Sequence, residues 1–338
     1  TLLKIVRTDK ELHTPIIDAK IKEAGHQLVL LPDGITEDQL IEETKDTDLI
    51  LMCYTPVTRR VIEAAKKLKG IVKYGVGIDA IDIPAAAAKG IPVVNIPEYA
   101  EETVAEGAFA MLIALAKKLP AIQNQMENNG WAWPEPKWLG SDIAGKTLGI
   151  VGFGKIGKSM ARMAHHGFRA RVIAFSPHTD DHEMEKFGVT KYNSLSKLLS
   201  DSDFVSIHSV LNSETEKLIG EKELRQMKPN AILLNSARGA IIDEQALIKA
   251  IKEKWIAGLG LDVFSQEPLN SRNHPMKELY GRPNVILLPH LTFYTKEAMD
   301  RLETETLERS FEILQGKKVL IKSLDPRLLK QSHSVVFQ

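Results

Sequence analysis

Three ionisable side chains stand a few residues beyond apolar, strand-like runs in the second half of the sequence: Arg238, Glu267 and His290. A histidine exchanges protons near neutral pH, a carboxylate can hydrogen-bond and tune it, and an arginine binds anionic oxygens. Together these groups suit proton transfer at a hydroxy or keto group that lies next to a carboxylate. Because open α/β sheets bind ligands beyond the carboxyl ends of their strands, we expect the three to share one site. Taken singly, each also fits a common structural role, as a surface ion pair, a solvated loop charge or a hydrogen-bonded histidine.

A glycine turn in the segment 147–176 predicts a dinucleotide site. The apolar run Leu148–Val151 leads into Gly152-x-Gly154-x-x-Gly157, after which helical spacing and a second β-branched run follow. In a strand–turn–helix–strand context, the first glycine permits the tight turn and the second lets backbone approach a pyrophosphate. The third lets the helix pack on the strand, and the helix N-terminus offers N–H groups to the phosphates. The predicted cofactor contacts in this turn are Gly152, Gly154, Lys155, Ile156 and Gly157.

Two stretches of alternating strand and helix patterns must position these residues. Short apolar runs alternate with amphipathic segments from residue 1 to about 97, and again from Thr147 to about Leu288. Such alternation predicts the α/β class with two doubly wound parallel sheets. A charged amphipathic helix, 296–314, then returns the chain to the first domain. We therefore expect residues 1–98 with 293–338 to form one domain, into which residues 99–292 are inserted as a second.

The link into the second domain and the end of the chain are less regular. Residues 104–116 are apolar almost all round, which predicts a buried connector helix or a subunit interface. Trp131, Trp133 and Trp138 follow in a Pro-rich segment, and we expect them to pack over that helix rather than form an exposed binding patch. Residues 326–338 lack clear periodicity, which predicts a loose arm at this end of the sequence.

Composition excludes several classes of protein. Acidic and basic residues balance at 44 each, so no nucleic-acid-binding surface is implied. A single cysteine, Cys53, rules out an internal disulfide and fits a cytoplasmic location. No apolar run reaches the roughly 18 residues of a membrane span, and the first residues lack signal-peptide anatomy. His178 and His182 have metal-ligand spacing, but a polar first helical turn explains them better, and we predict no metal.

Five ordered motifs resemble the D-isomer-specific 2-hydroxyacid dehydrogenase family, over about residues 3 to 316. They are YGVGIDAIDIPAAAAKGIPVVNIP, TLGIVGFGKIG, LLNSARGAIIDEQAL, GLDVFSQEP and LLPHLTFYT. The YGVG turn and the FYT ending are similar to the branch with phosphoglycerate-dehydrogenase-like and C-terminal-binding-protein-like members. The resemblance implies an enzyme that interconverts a small 2-oxo acid and a D-2-hydroxy acid with NAD or NADP, for example a glyoxylate or hydroxypyruvate reductase. It also implies a flavodoxin-like substrate (catalytic) domain, a Rossmann dinucleotide-binding domain and a homodimer.

Residue roles follow from the same resemblance. His290 would act as general acid in ketone reduction, Glu267 would fix its tautomer and favour its protonated form, and Arg238 would hold the substrate carboxylate and carbonyl. The backbone N–H groups of Val76 and Gly77 would also receive the carboxylate. Asp262 would orient the nicotinamide carboxamide, and the further cofactor contacts would be Thr103, Ser209, Ser236 and Ala237. For the serines and Thr103, turn or cap chemistry is an equally good explanation.

One position departs from the family pattern. NAD users usually carry an acidic residue at the end of the second strand of the dinucleotide domain, where this chain has Ser176. Without that carboxylate nothing repels a 2′-phosphate, which tilts the expectation slightly from NAD towards NADP. Tyr54 is a candidate for the substrate side-chain pocket, although domain packing would explain it as well. The alternative function is a dinucleotide-sensing regulatory interaction protein of the corepressor type.

Overall fold

The computed structural model describes residues 1–270 and 273–338, and the chain divides into two compact units. One unit comprises residues 1–99 and 295–338, and the other comprises residues 100–294. In chain order the strands are β1 Lys4–Arg7, β2 Gln27–Leu30, β3 Leu49–Met52, β4 Gly70–Lys73, β5 Val93–Val94, β6 Thr147–Val151, β7 Arg171–Phe175, β8 Val189–Lys191, β9 Phe204–Ile207, β10 Ile232–Asn235, β11 Gly258–Leu261, β12 Val285–Leu287, β13 Val319–Ile321 and β14 Val335–Phe337. The helices are α1 Pro15–Glu23, α2 Glu37–Thr44, α3 Arg59–Ala64, α4 Ile83–Ala88, α5 Glu101–Ala116, α6 Leu119–Asn129, α7 Lys155–Arg162, α8 Asp181–Glu185, α9 Leu195–Asp201, α10 Glu221–Gln226, α11 Glu244–Lys252, α12 Lys296–Leu314 and α13 Pro326–Leu329.

The first unit is built on a parallel sheet of order β2-β1-β3-β4-β5. The side chains of β3 and β4 are buried throughout, as expected for central strands covered on both faces. This strand order is that of flavodoxin-like doubly wound folds. The helices begin at defined caps, such as Thr36, whose side chain forms a capping box with Gln39.

The second unit contains a parallel sheet of order β12-β11-β10-β9-β6-β7-β8. The chain runs outward from β6 to β8, then returns to the other side of β6 with β9 and continues to β12. That order is the Rossmann arrangement with one added strand, and the reversal between β6 and β9 is the point where such sheets bind ligands. The expected α/β class with two doubly wound parallel sheets is therefore confirmed.

The buried connector helix expected over residues 104–116 is present, but the segment that follows it differs from the expectation. The apolar stretch forms α5, whose face against the sheet is buried, and a second helix, α6, follows a break at Lys118. Lys118 has a φ of +54°, in the left-handed region, so the helix cannot continue through it. The packing predicted for the tryptophans is wrong for two of them, because the side chains of Trp131 and Trp133 are 58% and 73% exposed. Apolar composition identified a buried helix correctly but could not assign what covered the loop beyond it.

The expectation of a loose C-terminal arm is also wrong. Residues 326–338 contain α13 and β14, and β14 pairs in parallel with β13. The Gln331 side chain accepts from the Val93 N–H and donates to the Val93 carbonyl, which ties this segment to β5. These contacts join residues 238 positions apart, which no local pattern could reveal. Across the described residues, no helix is long and apolar enough to cross a membrane.

Candidate active site

The carboxyl edge of the seven-stranded sheet gathers most of the predicted site residues. The glycine turn follows β6, Ser176 follows β7, Ser209 lies beyond β9 and Ser236 follows β10. Asp262 comes directly after β11, and His290 stands three residues after β12. Because all of these strands are parallel, residues that follow them emerge at the same edge.

His290 and Glu267 form a hydrogen-bonded pair. His290 Nδ1 lies 2.6 Å from Glu267 Oε2, and the Phe264 N–H donates to Glu267 Oε1 at 2.9 Å. Burial alone would raise the pKa of Glu267, but the hydrogen bond and charge of His290 and the N–H of Phe264 lower it below its ordinary value. The ionised carboxylate can only accept, so Nδ1 of His290 carries the hydrogen.

Asp262 holds the backbone that follows His290. Its Oδ1 accepts the Leu291 N–H at 2.8 Å, and its Oδ2 accepts the Thr292 N–H at 3.0 Å and the Thr292 hydroxyl at 2.6 Å. The Asp262 side chain is fully buried. His290 itself has a φ of +56°, an unfavourable conformation that persists only where surrounding contacts over-determine it. The predicted contact of Asp262 with the nicotinamide stays a prediction, and the structure adds a loop-positioning role that the sequence did not reveal.

Arg238 is positioned by a turn after β10. The Asn235 side chain donates to the Arg238 carbonyl and accepts the Ala237 N–H, each at 3.0 Å. The positive charge of Arg238 also contributes to the lowered pKa of Glu267, which places the two in electrostatic range. Asn235 was missed as a site residue because it reads as the last residue of an apolar strand.

The glycine turn has the close contacts that a dinucleotide site requires. A Cβ on Gly152, whose φ is +93°, would stand 2.6 Å from the Ser209 nitrogen. A Cβ on Gly157 would stand 2.5 Å from the Gly152 carbonyl oxygen, so only glycine lets α7 approach β6 this closely. A Cβ on Gly154 would meet no described atom within 4 Å, which leaves space for a ligand beside the helix N-terminus. The residues present therefore fit a bound dinucleotide.

Two buried polar atoms at the same edge point to a ligand. Ser236 Oγ and His208 Nδ1 are buried and have no hydrogen-bond partner among the described residues. His208 Nε2 lies 2.7 Å from Ser206 Oγ, and burial lowers the pKa of His208 to about 4, so the imidazole is neutral at neutral pH. Unpaired buried polar atoms are costly, and a bound molecule would supply the missing partner. His208 was not among the predicted site residues, although it adjoins Ser209.

The region beyond β7 has no carboxylate at the strand end. Ser176 Oγ lies 2.8 Å from Thr179 Oγ1, and His178 Nε2 lies 3.3 Å from Glu214 Oε2. His182 is directed to a different carboxylate, Glu185, at 3.3 Å. In residues 1–270 and 273–338, no cluster of three or more His, Cys, Asp or Glu side chains could hold a metal ion.

The five-stranded sheet carries the other predicted substrate residues at its own carboxyl edge. Tyr54 lies just beyond β3 and is 51% exposed, and Val76 and Gly77 lie in the turn beyond β4. Asp9 fixes the Tyr54 loop, because its carboxylate accepts the backbone N–H groups of Cys53, Tyr54 and Thr55 and the hydroxyls of Thr8 and Thr55. Burial would raise the pKa of Asp9, but these hydrogen bonds lower it below its ordinary value.

Comparison with known proteins agrees with this geometry. The D-isomer specific 2-hydroxyacid dehydrogenase, NAD binding domain, matches residues 109–292. A glyoxylate reductase of Korarchaeum cryptofilum is 41% identical over 296 residues, which cover 86% of this chain and 85% of that protein. The D-lactate dehydrogenase of Aquifex aeolicus, solved with NAD and lactic acid, superimposes with a TM-score of 0.81 at 28% identity, covering 92% of this chain and 96% of that one. An acyclic imino acid reductase solved with NADPH and D-Arg superimposes with a TM-score of 0.79 at 30% identity, covering 93% and 97%.

The chain belongs to the D-isomer specific 2-hydroxyacid dehydrogenase family. It is an oxidoreductase that transfers a hydride between a nicotinamide cofactor and the acid, and so interconverts 2-hydroxy and 2-oxo acids. The fold and family predicted from the sequence are thereby confirmed. The glyoxylate reductase and the D-lactate dehydrogenase give no support to the alternative of a corepressor-type interaction protein.

Proposed function

We propose that this enzyme reduces a small 2-oxo acid of the glyoxylate or hydroxypyruvate type to the corresponding D-2-hydroxy acid. The observation that carries the proposal is the His290–Glu267 pair at 2.6 Å, on a loop that Asp262 fixes at the carboxyl edge of the Rossmann sheet. The glyoxylate reductase among the relatives supports a substrate of this size.

In the proposed reaction His290 Nε2 donates a proton to the carbonyl oxygen, while Glu267 keeps Nδ1 protonated and stabilises the imidazolium. Arg238 binds the substrate carboxylate and polarises the carbonyl. The nicotinamide cofactor supplies the hydride. In the reverse direction His290 is the base.

The remaining residues divide between cofactor and substrate. The glycine turn and the N-terminus of α7 hold the pyrophosphate. The Val76 and Gly77 N–H groups bind the substrate carboxylate, and Tyr54 borders its side chain. We assign the substrate role to the first unit and the cofactor role to the second. The proposed nicotinamide and ribose contacts are Thr103, Ser176, Ser209, Ser236, Ala237 and Asp262.

For the cofactor, we propose a modest preference for NADPH. The support is Ser176, which leaves the end of β7 without a carboxylate to repel a 2′-phosphate. A strong preference for NADPH is not expected. His178, the basic residue nearest to Ser176 in sequence and so the candidate for binding a 2′-phosphate, already pairs with Glu214.

We also propose a cytoplasmic homodimer. Exposed apolar side chains on α6 and in the loop beyond it support an interface, because monomeric proteins rarely leave a large apolar patch exposed to water. These side chains are Leu119, Met126, Trp131, Trp133 and Leu139. The single buried cysteine suits a reducing compartment.

Steady-state kinetics test the proposed function. Glyoxylate, hydroxypyruvate, pyruvate and a bulkier branched 2-oxo acid are each assayed with NADH and NADPH. We expect glyoxylate and hydroxypyruvate to have the highest kcat/KM, and NADPH to be used at least as well as NADH. A preference for the branched acid contradicts the substrate assignment, and a strong preference for NADH contradicts the cofactor assignment.

A further inference from the structure

Lys73, the last residue of β4, is a buried lysine at the carboxyl edge of the five-stranded sheet. Its side chain is only 6% exposed, yet its ammonium forms no ion pair with any carboxylate that the structure describes. Its partners are the Cys53 carbonyl oxygen, the Cys53 Sγ at 3.7 Å and the Tyr54 ring, whose centroid lies 5.1 Å away.

Neutral partners do not offset the cost of burying a charge. An ammonium taken out of water normally pairs with a carboxylate or another anion. Asp9, which fixes the same loop, is occupied by its hydrogen bonds to Thr8, Tyr54 and Thr55 and makes no pair with Lys73. An anionic ligand would therefore complete the environment of Lys73.

The neighbouring turn offers matching donors. The backbone N–H groups of Val76 and Gly77 donate to no acceptor in the part of the chain that the structure describes. The Lys73 side chain folds back under this turn, so that a Cβ on Gly75 would stand 2.9 Å from Lys73 Cε and 3.5 Å from its Nζ. The Asn95 side chain holds the turn in place by donating to the Val76 carbonyl at 2.8 Å. A cation and successive unpaired N–H groups together form an anion-binding concavity.

We propose that Lys73 is a substrate-binding residue that selects anionic substrates, by pairing with the carboxylate that the Val76 and Gly77 N–H groups receive. The inference rests on the proposed function for the identity of the substrate, but not for the presence of an anion site. The Tyr54 ring shields the ammonium from water, which strengthens its attraction for a carboxylate. Neutral carbonyl compounds gain nothing from this charge and are discriminated against.

The test uses the full-length enzyme with Lys73→Gln, which keeps a donor for the Cys53 carbonyl, and Lys73→Arg, which keeps the charge. The matched control is Lys69→Gln, because Lys69 is an exposed lysine that directly precedes the first residue of β4. KM and kcat are measured for glyoxylate and for its neutral methyl ester. We expect Lys73→Gln to raise the KM for glyoxylate roughly tenfold to a hundredfold, as for the loss of a charge-assisted hydrogen bond. The KM for the ester should stay within about threefold, since it lacks the charge that Lys73 binds.

The charge-keeping variant and the control complete the design. Lys73→Arg should recover most of the affinity for glyoxylate, and Lys69→Gln should behave as wild type. Equal increases of KM for the acid and the ester would show a merely structural role, and an unchanged KM for the acid would show no role; either result overturns the inference.

Oxalate binding, measured by calorimetry, separates this inference from the proposed function. Oxalate is not reduced, so its binding does not depend on turnover. If no 2-oxo acid is reduced by the wild type, the proposed function fails. Binding of oxalate that Lys73→Gln weakens and Lys69→Gln does not would still support the anion site, while equal binding by all variants would overturn it.

Discussion

Two buried carboxylates each accept hydrogen bonds from a loop at the carboxyl edge of one of the two large sheets, yet the two loops carry different side chains. Asp9 accepts the N–H groups of Cys53, Tyr54 and Thr55, and Asp262 accepts those of Leu291 and Thr292. In both cases the two oxygens of a buried carboxyl group replace the water that would otherwise solvate the loop backbone.

The difference lies beside each loop. The loop held by Asp262 carries His290, whose hydrogen-bonded partner Glu267 has a lowered pKa. This pair is suited to proton transfer. The loop held by Asp9 carries Tyr54, whose ring lies next to the buried ammonium of Lys73. This ammonium is suited to binding an anion. We therefore propose that the carboxyl edge of the seven-stranded sheet carries out the chemistry and that of the five-stranded sheet recognises the substrate. Measurements of kcat and KM can separate these two roles.

The largest effect should come from His290→Ala. Loss of the general acid should lower kcat by roughly 10²- to 10⁴-fold, while the Kd for the reduced cofactor stays near that of wild type. Steady-state kinetics and cofactor fluorescence titration measure both, with the exposed His13→Ala as control. A His290→Ala enzyme that loses affinity but keeps its kcat would place chemistry elsewhere and break the comparison.

Asp262→Asn should come next, because it loosens the loop without removing a reacting group. We expect kcat to fall about tenfold or more and the free energy of unfolding to fall by about 1–3 kcal/mol, the cost of weakening hydrogen bonds to a buried charge. Cofactor titration sharpens the result. If the main effect is a raised Kd for the cofactor, the predicted contact with the nicotinamide outweighs the loop-positioning role.

Asp9→Asn should affect stability and KM more than kcat. At neutral pH we expect a loss of about 2–3 kcal/mol in the free energy of unfolding, with kcat nearly unchanged. The folded-state pKa of Asp9 is lowered, so its contribution is fully present above the ordinary value of 3.8 and is lost as the pH falls through the folded-state pKa. The difference between wild type and variant should therefore shrink below pH 3.8.

Urea unfolding at several pH values provides the measurement, with the exposed Asp33→Asn as control. A difference that stays constant down to strongly acidic pH would show that the Asp9 charge is not what holds the Tyr54 loop. An Asp9→Asn enzyme with a kcat as low as that of Asp262→Asn would erase the distinction between the two edges.

Local patterns were enough for many of the elements and for the glycine turn. The buried runs of β3 and β9 and the full extent of α12 follow from hydrophobic period, which reports how many faces of a segment are covered. The backbone roles expected of Gly152 and Gly157, a tight turn and a close helix–strand contact, agree with the structure because they are needed wherever this turn occurs. The order of the motifs along the sequence also indicates the family.

The tertiary structure alone decided which residues hold the site together. Asp9 and Tyr54 are 45 positions apart, Asp262 and Thr292 are 30 apart, and Lys73 reaches Cys53 over 20. A one-dimensional pattern shows that a residue is polar within an apolar run, but not which distant backbone it will meet once the strands are parallel and adjacent. The same limit explains the exposed tryptophans and the paired C-terminal strand. Hydrophobic period is a property of neighbours along the chain, whereas the partners of buried charges are set by the sheet order, which only the folded chain defines.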